Sequence, residues 1–234
     1  MWKFIKKLLF GNEKIQLNHK NIWYKRHKEK LKKVWNNEDY QDFGIERIFR
    51  LFLIVIQYIF PGLFIREMVG KKGFYYEKIW IEIYIIWKLI LFLILLYCGF
   101  VNIFTLILAM YLLAETVCYL LGYFFLKDVK YRPISYKRSI FLIFINYIEV
   151  ILYFATFYSF LNPLNKELSW PTEAIYYSIV TSSAVWYGEL YPISTIWQIF
   201  VIFEVIIFLL FVIVFFSMNI KGSKKQLIYK GKIK

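Results

Sequence analysis

The chain has 234 residues, 60% of them hydrophobic and 22% aromatic, with a formal net charge of +14. A soluble domain averages about 45–50% apolar, and here the excess gathers in runs that approach or exceed the roughly 20 apolar residues that cross a bilayer. A disulfide framework is argued against because Cys98 and Cys118 both lie in such runs, and a histidine-rich metal site because His19 and His27 both lie in the basic N-terminal stretch.

Residues 1–47 form a basic region with eleven Lys/Arg in its first 35 positions. Met1–Phe10 sets apolar residues against Lys3, Lys6 and Lys7. That pattern suits a helix lying on a membrane surface, or a plain basic tail. It has no small-residue cleavage site, so a signal peptide is not expected. The first apolar segment, Ile48–Ile65, is short for a span and contains Pro61-Gly62. Residues 48–78 are therefore read as an interfacial or re-entrant element followed by a basic loop. A fifth span with an external N-terminus is the rival, and it would put the most basic region on the wrong side.

Four longer segments follow: Ile79–Gly99, Val101–Leu126, Ser139–Leu161 and Ile193–Ser217. Lys127–Arg138 carries five Lys/Arg against one acid, and the tail from Lys221 carries six Lys and no acid. By the positive-inside rule both are cytoplasmic, Asn162–Glu173 is external, and both termini are inside. Residues 79–138 are then a front pair of spans, 139–220 a separate module, and 221–234 a basic cytoplasmic tail. The fold class is all-α membrane protein. Topology accounts for most of the positive charge, so nucleic-acid binding is not expected, whereas the basic N-terminus suits anionic lipid.

Charges inside the spans are rare and read as functional candidates. At about 1.5 Å per residue, Lys88 lies roughly 14 Å above the cytoplasmic end of its helix, Glu115 about 17 Å and Glu149 about 15 Å. A Lys88–Glu115 or Lys88–Glu149 pair would lower the cost of burying either charge. Structural attachment of the front helices to the module is the preferred role, and an ion or proton relay the alternative. Glu204 lies in the last span. It is either part of a carboxylate ring that concentrates cations or a hydrogen-bonded side chain packed on a neighbouring helix.

Between the last two spans lies Pro171–Ser183, with an N-terminal Pro171 suited to a first helical turn and Glu173 complementing the helix dipole. About 12 helical residues rise roughly 18 Å, too little to span. The segment must enter from outside and return, and its non-helical return is tolerable only where protein or water surrounds it. Gly188, in that return, is the single glycine between Tyr123 and Lys221. An ordinary tight turn closed by Gly188 and Pro192 fits the same spacing.

The run Tyr176-Tyr177-Ser178 through Val185-Trp186-Tyr187-Gly188-Glu189-Leu190-Tyr191-Pro192 resembles the pore helix and selectivity filter of potassium channels. The resemblance covers roughly Ser139–Ser217. It implies a homotetramer in the plasma membrane whose filter carbonyls replace the hydration shell of a monovalent cation, K+ above all, with no cofactor. It assigns Ser183, Ala184, Val185, Trp186, Tyr187 and Gly188 to the ion pathway, and Tyr177 and Glu189 to its support. Ala184 replaces the family's threonine and Trp186 its first filter glycine. A tryptophan forced into that glycine's backbone region costs about 1–3 kcal/mol per subunit. Phe208 falls where many members have a flexible hinge. The expected activity is therefore a cation pore with an altered filter, the alternative a non-conducting scaffold or sensor subunit. No nucleophile–base spacing or phosphate-binding loop suggests an enzyme.

Overall fold

The computed structural model describes residues 23–36, 44–70, 74–126, 136–185 and 188–231. The helix anticipated over Met1–Phe10 lies outside them. Among the described residues all regular elements are helical, apart from an isolated antiparallel bridge between Leu164 and Pro192. The chain forms two compact units, Met1–Tyr84 and Ile85–Lys234.

The first unit contains α1 (Trp23–Asn36), α2 (Ile45–Ile56), a 3-10 turn (Gln57–Ile59) and α3 (Pro61–Gly70). Pro61 ends the run begun at Ile45. A proline inside a helix lacks the N–H for the i−4 carbonyl and pushes the preceding residue out of the α region. Phe60 accordingly is extended, at φ −92° and ψ 142°. The 12 residues of α2 rise about 18 Å, well short of a bilayer core of about 30 Å. Its buried face carries Arg50, Leu53 and Ile54. The opposite face exposes Ile45, Ile48, Phe52 and Val55, and the apolar stripe continues to Ile59. Arg47 Nη2 donates to the Trp35 carbonyl at 2.7 Å, which satisfies an acceptor in the last turn of α1 and joins the two helices.

Among the described residues four helices are long and apolar enough to cross a membrane, over Lys78–Tyr97, Ile103–Phe125, Lys137–Leu161 and Thr195–Met218. They belong to α4 (Phe74–Tyr97), α5 (Ile103–Phe125), α6 (Tyr136–Leu161) and α8 (Thr195–Gly231). The expected four-span count and helical class hold. α4 ends with Gly99 at φ +68°, its N–H bonding to the Leu96 carbonyl and that of Phe100 to Leu95. This is the two-bond closure in which a left-handed glycine stops a helix. Asn102 then starts α5. Its side chain accepts from the N–H groups of Phe104 and Thr105, and the Thr105 hydroxyl accepts from its backbone N–H.

The core of the second unit forms around α6, whose residues Val150–Tyr158 are all buried. α5, the short α7 (Pro171–Ser182) and α8 pack on it. Within its own chain 61% of the α6 span is buried, against 22% for α8. α8 continues as helix past its apolar span to Gly231. Four Lys, one Gln and Leu227 favour helix in that extension, and Gly222 is its least favourable residue before the terminal Gly231.

Candidate functional site

The short helix α7 starts as its residues dictate. Trp170 is extended, Pro171 occupies the first turn, and Glu173 Oε2 accepts from the Ser169 N–H at 2.8 Å. Ala174, Ser178 and Ser182 recur every fourth residue, so they share one face. All three are buried, and side chains this small let helices approach closely. Tyr177 is buried with its ring edge-on to Tyr158, centroids 4.7 Å apart.

Glu204 of α8 is the centre of this packing. It is 1% exposed. Its Oε2 accepts from the Tyr158 hydroxyl of α6 at 2.5 Å, and its Oε1 accepts from the Ser178 hydroxyl of α7 at 2.6 Å. One carboxyl group thus ties three helices together. Because it is buried within its own chain, it lies off every surface that a second copy or a central axis could meet. A ring of Glu204 carboxylates around an ion path does not fit this placement. A second tie lies one turn lower on α7, where Ser182 Oγ and Tyr147 Oη are 2.9 Å apart. The Tyr147 ring packs on Phe208 and Phe211 at 5.5 and 5.7 Å. Phe208 is therefore a packed side chain in an unbroken helix.

The C-terminus of α7 departs from the expected filter geometry. Ala184 has φ +56°. Its N–H bonds to the Thr181 carbonyl at 3.1 Å, and the Val185 N–H bonds to Val180 at 3.1 Å. These are the same two bonds that close α4, here made around an alanine. Ser183 folds back as well, its hydroxyl donating to the carbonyls of Ile179 at 2.8 Å and Val180 at 3.2 Å. Ser183, Ala184 and Val185 thus cap a helix instead of opening an extended strand. The helix end offers a cation its dipole more than bare carbonyl oxygens.

Beyond the cap, Trp186 and Tyr187 lie outside the described residues. Gly188 has φ +79°, a conformation that glycine adopts without strain. The return segment is then pinned by Asn165. Its Nδ2 donates to the Glu189 carbonyl at 3.1 Å, and its Oδ1 accepts from the Tyr191 N–H at 3.0 Å. Backbone bonds from Asn165 N–H to the Tyr191 carbonyl and from Ile193 N–H to Pro163 complete the clamp. No hydrogen bond joins Tyr177 to Glu189 among the described residues; Tyr177 faces Tyr158, and Glu189 is exposed.

The remaining predicted residues form a separate cluster. Lys88 of α4 places Nζ 3.0 Å from Glu149 Oε2 of α6 and 3.8 Å from Glu115 Oε2 of α5. Lys88 is 3% exposed, Glu115 9% and Glu149 0%. Sequence reasoning missed Asn165, Tyr147, Tyr158 and Ser178. For Ser178 and Ser182 the signal was there, as hydroxyls four residues apart on a half-helix.

No curated protein and no solved structure matches the chain. A family does: residues 146–221, from the middle of α6 through α7 into α8, match the family described as "Ion channel".

Proposed function

We propose that residues 139–220 form the pore module of a homotetrameric channel that conducts monovalent cations, potassium foremost, across the plasma membrane. Both termini lie in the cytoplasm, as the basic loops direct. The observation that carries this reading is the half-helix α7 held between two spans. Its 12 residues are anchored to α6 and α8 through Glu204, and its carbonyl end runs into a return segment clamped by Asn165. The return exposes Val185 and Tyr191. At membrane depth such a backbone needs water or protein around it. Further copies of the chain provide that setting. They also cover part of the apolar face of α8, which exposes Ile199, Ile202, Phe203, Ile206, Leu209 and Ile213.

Potassium or sodium flux through the purified protein in liposomes tests the reading. Tetramers that carry a cation current support it, and well-folded tetramers without flux overturn it. A non-conducting scaffold is the second reading, favoured by the capped end of α7 and by Ala184 and Trp186 in place of the family's threonine and glycine. Trp186→Gly discriminates. In a channel it raises potassium selectivity over sodium, and in a scaffold it leaves flux at background.

A further inference from the structure

The helices α1 and α2 belong to the first unit, outside the segment proposed to form the pore. α1 carries six Lys/Arg against the single acid Glu29. Where it packs on α2 a groove of about 630 Å³ opens, lined by Lys28, Glu29, Lys32, Trp35, Leu51 and Val55 among others. Lys28 and Lys32 are four residues apart, on one face of α1, and both are exposed. Leu51 and Val55 are four apart on α2, and Trp35 is an exposed aromatic. The groove thus joins an apolar floor to two exposed lysines, with Glu29 the one acid in its lining. Val55 belongs both to this floor and to the exposed apolar stripe of α2. A stripe of that kind suits a helix lying in the plane of a membrane interface.

We propose that the α1–α2 groove binds one anionic phospholipid, its phosphate between Lys28 and Lys32 and an acyl chain against Leu51, Val55 and Trp35. The charge selects an anionic headgroup, and the apolar floor selects an amphiphile over a free anion. Zwitterionic lipid lacks the net negative charge, and a soluble phosphate has nothing to place on Leu51 and Val55. The proposal rests on the membrane placement of the spans and is independent of whether the pore conducts.

The test uses the full chain in phosphatidylcholine vesicles doped with a small fraction of phosphatidylglycerol bearing a photoreactive acyl chain. Labelled peptides are identified by mass spectrometry. Label is expected on the segments holding Trp35 and Leu51–Val55, and a phosphatidylcholine probe of the same chain should label them far less. Lys28→Ala with Lys32→Ala should cut the phosphatidylglycerol label there about ten- to thirtyfold, from about 1 kcal/mol per basic residue near the surface. Both positions are exposed, so helix content by circular dichroism should be unchanged. Lys137→Ala, an exposed lysine of α6 outside the hairpin, should leave the label intact. Equal labelling by the two probes, or label undiminished in the double variant, overturns the proposal. So does loss of label on adding inorganic phosphate, which would mean a soluble-anion site. Label that rises when residues 1–22 are deleted would show that segment to be the groove's native occupant, and also overturns it. Flux measured on the same vesicles reports separately on the pore.

Discussion

Two of the carboxylates buried in the apolar interior of the second unit, Glu149 and Glu204, are held in opposite ways. Glu149, 0% exposed, faces an ammonium, Lys88 Nζ at 3.0 Å. Glu204, 1% exposed, faces two hydroxyls, those of Tyr158 and Ser178. The first arrangement joins α4, α5 and α6; the second joins α6, α7 and α8. The helix common to both is α6, contributing Glu149 to one and Tyr158 to the other. Nine residues at about 100° each bring the chain round by about 180°, so these side chains leave α6 on opposite faces. The difference teaches why α6 is the most buried of the four spans. One face is bound by charge to α4 and α5, the other by hydrogen bonds to α7 and α8.

The strongest way to break this comparison is Lys88→Ala. It removes the cation that Glu149 and Glu115 share, and breaking one side of a buried pair costs about 3–5 kcal/mol. Thermal unfolding in detergent should show a large loss. Glu149→Gln should cost much less, because Lys88 keeps Glu115 within 3.8 Å. Equal losses from the two variants would mean that the cluster is not held by its charge. A stable Lys88→Ala protein that only loses flux would assign the cluster to an ion or proton relay.

The hydroxyl-held site should respond next. Glu204→Leu deprives Tyr158 and Ser178 of their common acceptor, and each buried hydroxyl left without a partner costs about 1–3 kcal/mol. The expected loss is about 2–4 kcal/mol in the same unfolding assay. Glu204→Gln retains a carbonyl acceptor and can donate to the other hydroxyl oxygen, so it should recover most of that stability. Failure of the glutamine to do better than leucine would show that the charge, and not the hydrogen bonds, matters at this site.

How much of this was legible in the sequence depends on whether a residue type announces its conformation. The spans did, because their apolar runs are long. So did the break at Pro61 and the start of α7 at Pro171. Depth counting placed Lys88, Glu115 and Glu149 at similar levels, and the structure brings them within 3.8 Å of one another through Lys88. The helix stop at Ala184 was invisible, since alanine gives no sign of a left-handed backbone; the identical stop at Gly99 carries the usual residue. Glu204 stood out as an ionisable residue in a span, but its partners did not. Tyr158 is one of 20 tyrosines, and only the assembled packing of α6, α7 and α8 selects it. Asn165 is similarly one polar residue in a polar loop. Its side chain bridges to Glu189 and Tyr191, more than twenty positions away.

The finest test of the comparison looks for an absence of coupling. Tyr158→Phe removes one hydroxyl from the Glu204 site while keeping the ring against Tyr177 and Phe200. The expected loss is about 1–2 kcal/mol, since one hydrogen bond goes and Glu204 retains Ser178. Glu149 and Tyr158 are separated by roughly 13 Å along α6 and point to opposite faces. Combining Tyr158→Phe with Glu149→Gln should then give the sum of the separate losses to within about 0.3–0.5 kcal/mol. A larger departure from additivity would mean that strain on one face of α6 reaches the other, and that the front pair acts on the half-helix through this span. In that event Glu149→Gln alone should also change cation flux, whereas a purely structural attachment leaves the current of the folded protein unchanged.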